Sequence, residues 1–320
     1  MKNIYLIIVC FYIISMLTLP LLSIKGNAAT NSSDNPPPQS DVVKTEDSVA
    51  LLNSEDNTVT SLSMRDYLLC VVASEISLSS EGEAIKAQAV AAYTYTLYKK
   101  ELNKDKSYDI TDNYKTDQAY TPLDTLKEKW GDKAEENMNF LYGILDEVEG
   151  IYISHGGKPI LAAFHAISSG KTDSCLDIWG SDLPYLVAKE SVGDILSPDY
   201  LSAVSVSKDD FKNAFLEKCA LGDDINSYIG DITRAETGTV KSITVGGQAL
   251  DGQEFRKLLS LRSANFDVKC ENDTFIFTVR GYGHGVGLSQ CGANYMAKQG
   301  SNYKEILYWY YCGTELVEKK

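Results

Sequence analysis

At 320 residues, 44% hydrophobic and 23% charged, the chain has the length for one large folded body or two small ones. Its formal net charge of −14 argues against nucleic acid and against surface attraction to anionic lipid, because both present phosphates that repel an acidic protein. Of seven cysteines, Cys10 falls in an apolar leader and none forms a C-x-x-C pair; the other six permit disulfides outside the cell, with Cys291 and Cys312 the pair to consider.

From Asn3 to Ile24 there is no charge, and Lys2 and Lys25 flank the run. As a helix it is about 33 Å long, enough to cross a bilayer. It exceeds the roughly 7–15 residues of a signal core, which favours an uncleaved anchor over residues 1–25. The small residues Gly26-Asn27-Ala28-Ala29 keep a cleaved signal open as the alternative. Both readings place the body outside the cytoplasm. Residues 26–60, rich in Asn, Ser, Asp and Pro, read as a flexible linker, and residues 61–320 as the folded body.

In that body Ser63 caps a helix from Met64 to Val72, with Tyr67, Leu68, Val71 and Val72 on one face. Cys70, inside this apolar run, reads as a buried free thiol. Ser80 and Glu83 have capping-box spacing before an alanine-rich helix in which Ile85, Ala89, Ala92 and Thr96 align. Residues 101–135 are polar and ambiguous, and Glu136 to Val148 reads as helix. Ile151–Ser154 and Ile160–Phe164 read as strands around the turn His155-Gly156-Gly157-Lys158. Val240–Val245 is a strand ending at Gly246-Gly247, and Asp251 caps a helix from Phe255 to Leu261. Phe266–Cys270 and Phe275–Val279 form a hairpin that runs into Gly281-Tyr282-Gly283-His284-Gly285-Val286-Gly287. Helices interrupted by hairpins, without a βαβ rhythm, predict an α+β body.

Nucleotide chemistry fails on spacing: Val286 or Leu288 stands where G-x-G-x-x-G needs its third glycine, and His165 where a phosphate loop before Ser169-Gly170-Lys171-Thr172 needs its first. The three histidines have no metal-ligand spacing, and G-x-S-x-G around Ser289 is missing. Cys175 reads as a structural thiol before a nucleophile. His155 reads as a solvated turn residue and His165 as a strand-edge residue. His284 either offers its imidazole to a ligand or pins its loop. Glu75 is the carboxylate to choose, because it follows Leu68-Leu69-Cys70-Val71-Val72-Ala73 and desolvation there raises its pKa, as a general acid requires.

Four ordered blocks resemble the stage II sporulation protein D (SpoIID/LytB) family. They are Tyr67 to Ile76, Glu83 to Ala92, Phe164-His165-Ala166-Ile167-Ser168-Ser169-Gly170-Lys171-Thr172 with Trp179 to Leu186, and Tyr282 to Gln290. The resemblance implies a membrane-anchored, single-pass lytic transglycosylase, with an extracytoplasmic domain that cuts peptidoglycan glycan strands during engulfment alongside other cell-wall hydrolases. A non-catalytic glycan-binding module or amidase enhancer is the alternative, and a scaffold for septal partners a further one. The resemblance puts the catalytic glutamate on Glu75 and a glycan groove on Lys86, Gln88, His165, Ser168, Tyr282, His284 and Gln290, with the glycines as a close-approach wall for sugar rings. Tyr93 stands where many relatives carry arginine. The His and Cys cluster that binds zinc in some relatives has no counterpart in residues 108–117, so no metal or other cofactor is expected.

Overall fold

The computed structural model describes residues 44, 45 and 47–319. The expected membrane helix over residues 1–25 lies outside them, and among the described residues no helix is long and apolar enough to cross a membrane. The hairpin β1 (Ser48–Leu52) and β2 (Val59–Ser63) corrects the linker boundary. In β1, Val49, Ala50 and Leu51 are buried, so folded structure begins inside the stretch whose polar composition suggested a tether.

Helix α1 (Met64–Glu75) follows, and the Ser63 side chain accepts from the Asp66 N–H as its sequence predicts. Helix α2 (Gly82–Leu102) is capped differently from expectation. Its N-cap is Glu81, whose own N–H is held by Asn294 at 2.8 Å. The Glu83 carboxylate turns to Lys86 and to the Tyr303 N–H instead of back to Ser80. Strand β3 (Ile110–Thr111) adds in parallel to β1, and helices α3 (Leu123–Trp130) and α4 (Ala134–Glu147) complete the ambiguous stretch and the helix expected after it.

Next come β4 (Ile151–His155), β5 (Lys158–Pro159) and β6 (Phe164–His165), so of the strand expected over Ile160–Phe164 only Phe164 is strand. A short helix α5 (Cys175–Trp179) precedes β7 (Leu201–Ser207), α6 (Lys208–Phe215), β8 (Ile229–Arg234), β9 (Val240–Val245) and β10 (Gln248–Asp251). Helix α7 (Gly252–Leu258) is capped by Asp251, and β11 (Phe266–Glu271) with β12 (Thr274–Arg280) makes the predicted hairpin. The chain ends through β13 (Leu288–Ser289), α8 (Gln290–Lys298), α9 (Tyr303–Tyr310) and β14 (Glu315–Glu318).

The result is a mixed body of helices and small sheets, ordered β2-β1-β3, β14-β4-β5, β13-β6, β10-β9-β8 and β11-β12-β7. It has two cores. The first surrounds α2, where Ala84, Ala87, Ala91 and Ala92 are fully buried and their small side chains let α1, α4, α8 and α9 approach. The second, within residues 206–279, is built on Phe211, Phe215, Phe255, Phe266, Phe275 and Phe277. Burying each of these rings is worth about 1.5–3 kcal/mol.

All six described cysteines are free, which removes the Cys291–Cys312 pairing. Cys291 Sγ turns to the Gly193 carbonyl, and Cys312 Sγ to the Trp309 carbonyl one turn back. Cys70 is buried, as its apolar run requires.

Candidate functional site

Glu75 is the last residue of α1, and the chain leaves the helix in extended conformation at Ile76. Its half-buried carboxylate has two donors from distant parts of the chain. Oε1 accepts from the Ala119 N–H at 2.5 Å, and Oε2 from Gln290 Nε2 at 3.4 Å. Burial pushes its pKa above the ordinary 4.5, while the two hydrogen bonds favour the charged form and pull the other way. Gln290 Nε2 also faces Gln88 Oε1 at 3.2 Å. Gln88 is fully buried, and its Nε2 has no partner among the described residues.

Each side chain of this group is positioned by local structure. Ala119 is fixed by its neighbours: Gln118 Nε2 reaches the Tyr67 hydroxyl at 3.1 Å and Thr96 Oγ1 at 2.9 Å, and the Tyr120 ring stacks on Tyr67 with centroids 5.8 Å apart. Gln290 opens α8. Ser289 caps that helix by accepting from the Gly292 N–H, and donates its own hydroxyl to Asp194 at 2.8 Å. Asp194 is fully buried and also accepts from the N–H and hydroxyl of Ser168. Ser168 is therefore committed to an internal node that holds the start of α8, and is not presented to a groove.

The glycine stretch packs on its own protein, which corrects its reading as a wall for sugar rings. It runs along residues 163–173, with paired bonds between Ile167 and Tyr282, and with Asp173 N–H to Gly285 O at 2.7 Å and Leu288 N–H to Ala163 O at 3.0 Å. At Gly283 a Cβ would sit 2.6 Å from His165 Cβ, and at Gly287 it would overlap the Ala163 carbonyl; φ is +116° and +77° there. Only glycine fits both the contact and the left-handed backbone.

The residues between the glycines are the ones displayed. Tyr282 is 49% exposed, with the Arg262 guanidinium 5.3 Å above its ring. The His284 ring lies between His165 at 5.6 Å and Trp179 at 5.0 Å. His284 Nδ1 accepts from the Val286 N–H, so its proton sits on Nε2 and the ring does pin its loop. His165 is buried, its Nδ1 bonds the Val286 carbonyl, and its Nε2 has no partner among the described residues. Desolvation lowers His165 to about 4 and holds His284 well below 6.5. Both imidazoles are therefore uncharged near pH 7.

The structure thus gathers Glu75, Gln88 and Gln290 in one hydrogen-bonded group. His165 joins it through the backbone, because β6 pairs with β13 in register His165 to Ser289, one residue before Gln290. Lys86 stands apart: its ammonium pairs with Glu83 at 2.8 Å and Glu147 at 2.6 Å, and two residues of offset turn it away from Gln88 on α2. His155 is exposed, as expected. The reading from sequence missed the Ala119 N–H and the Trp179 ring. A backbone donor has no residue-type signal, whereas Trp179 opens the block Trp179 to Leu186, to which the resemblance gives no site role.

Residues 53–139 match the family described as SpoIID, stage II sporulation protein. The chain is 33% identical to the stage II sporulation protein D of Bacillus amyloliquefaciens over 275 residues, covering 85% of this chain and 79% of that protein. Its counterpart in Bacillus subtilis (strain 168) is 32% identical over 275 residues, with the same coverage. An amidase enhancer of Bacillus subtilis (strain 168) is 24% identical over 299 residues, 77% of this chain and 40% of that protein.

Proposed function

This chain belongs to the stage II sporulation protein D family, and on that premise we propose that it is a peptidoglycan lytic transglycosylase acting in sporulation. The observation that supports the reading is the environment of Glu75: one carboxylate with a raised pKa, acted on by a backbone N–H and an amide, with no second carboxylate among those groups. Ordinary glycosidases flank the bond with two carboxylates. A lytic transglycosylase needs one. Protonated Glu75 donates its proton to the glycosidic oxygen leaving N-acetylmuramic acid. The carboxylate so formed then takes the proton of that sugar's C6 hydroxyl as O6 bonds to C1, giving a 1,6-anhydro ring.

No water is consumed, and the intramolecular attack gains from proximity, so binding and orientation are the protein's main tasks. Gln290 and the Ala119 N–H stabilise the carboxylate after the first proton transfer. We place the body outside the cytoplasm, held at the cell membrane by residues 1–25 and working beside other engulfment hydrolases. The test is mass spectrometry of peptide-free glycan strands treated with the full-length protein in detergent. Anhydro-ended fragments are expected from the parent and not from Glu75→Gln. The similarity to an amidase enhancer favours a second reading, a non-catalytic amidase enhancer or glycan-binding module. Folded parent protein that binds strands and releases nothing establishes that one.

A further inference from the structure

A cleft of about 820 Å³ separates α5 from the edge formed by β8, β9 and α7. One wall carries Leu176 and Trp179, which are 56% and 40% exposed. The other carries Lys241, Gln253 and Lys257. Lys241 is paired with Asp177 at 2.8 Å across the cleft, and acidic Asp251 and Glu254 line the same wall as Lys257, so neither sign of charge dominates. An exposed aromatic face opposite polar side chains, with charges nearly balanced, suits a neutral amphipathic ligand better than an anion.

Two further observations point to a ligand and connect the cleft to Glu75. Gln253 is only 9% exposed. Its Nε2 donates to the His284 carbonyl at 3.4 Å, and its Oε1 has no donor among the described residues. Leaving a buried acceptor unpaired is costly, and a ligand N–H or O–H reached by a turn of the amide satisfies it. The Trp179 ring leans on His284, which leans on His165, whose strand pairs with the residue preceding Gln290. This run of neighbours leads from the cleft to the carboxylate.

We infer that this cleft is a distal subsite for a neutral N-acetylhexosamine of the glycan strand, with Trp179 stacking on the sugar face and Gln253 Oε1 accepting from its amide or hydroxyl. The assignment rests on the reading that the strand passes Glu75.

The test is titration calorimetry of oligomers of N-acetylglucosamine, dimer to hexamer, against the full chain carrying Glu75→Gln. Adding Trp179→Ala is expected to weaken hexamer binding about tenfold while changing dimer binding little, and Trp179→Phe to keep most of the affinity. A second readout uses Trp130→Phe with Trp309→Phe, which leaves Trp179 as the one indole; its emission is expected to shift to the blue when the hexamer binds. Absence of hexamer binding, equal affinity in Trp179→Ala, or unmoved emission overturns the subsite. The binding readout separates this inference from the catalytic one: anhydro products persisting in Glu75→Gln defeat the acid assignment and leave the subsite standing.

Discussion

The two cores of this protein are packed on different terms. Around α2 the interior combines alanines and branched aliphatics with the buried tyrosines Tyr67, Tyr310 and Tyr311, and it encloses polar side chains that are fully buried: Gln88, Thr94 and Thr96. Each threonine hydroxyl is returned to a carbonyl one turn back, at 2.6 Å for Thr94 and 2.8 Å for Thr96. Gln88 is only half satisfied. In residues 206–279 the interior is a mesh of phenylalanines, with Phe255 contacting Phe211, Phe215, Phe266 and Phe277. Its buried polar residues Thr239 and Gln253 reach outward, to Asp173 and His284. The first core keeps polar groups inside it, and the second turns them outward.

The sharpest test of that division is Glu75→Gln, expected to lower glycan cleavage about 10²–10⁴-fold while leaving the melting temperature nearly unchanged. Anhydro-product yield and calorimetric melting, measured on the same preparation, check it. Phe255→Ala should do the reverse: about 3–5 kcal/mol of stability lost in denaturant titration, with activity per folded molecule retained. Activity vanishing before unfolding begins would break the comparison.

Two smaller effects probe the seam and the site. Asp173 is buried against Thr237 and Thr239, and burial raises its pKa to about 6. The native state therefore takes up that proton before the unfolded chain, so this residue adds stability as pH falls from about 6 toward 3.8. His165 acts in the opposite sense, losing stability as pH falls from 6.5 toward about 4, because the unfolded imidazole protonates first. Asp173→Asn should steepen the acid loss of stability, seen in melting curves between pH 6 and 4. Least of all, Gln290→Ala removes a donor to the Glu75 carboxylate and should move the alkaline limb of the pH–rate profile upward by a fraction of a unit. An unmoved limb would mean that this hydrogen bond does not tune the acid.

Much of this was legible in the chain. The Ser63 and Asp251 caps, the β11–β12 hairpin and the desolvated setting of Glu75 follow from short-range rules, because caps, turns and apolar runs act within a few residues. The folded body begins earlier than composition suggests, because β1 is short and follows a polar, proline-bearing stretch. The α2 cap departs from the local box because the Glu83 carboxylate is taken by Lys86 and by the Tyr303 N–H, a partner 220 positions away that short-range spacing does not show. Lys86 and Ser168 were assigned to a groove by resemblance, and only three-dimensional partners show one in an ion-pair cluster and the other on Asp194.

The bond from Gln290 to Glu75 spans 215 positions of sequence. During synthesis the carboxylate emerges early and its amide partner late, and domains fold as units as the chain emerges. Until α8 is made and docked, Glu75 lacks one of its two donors and part of the surroundings that desolvate it. The hydrogen-bonded surroundings of Glu75 are therefore completed only when the last helices have been made and docked.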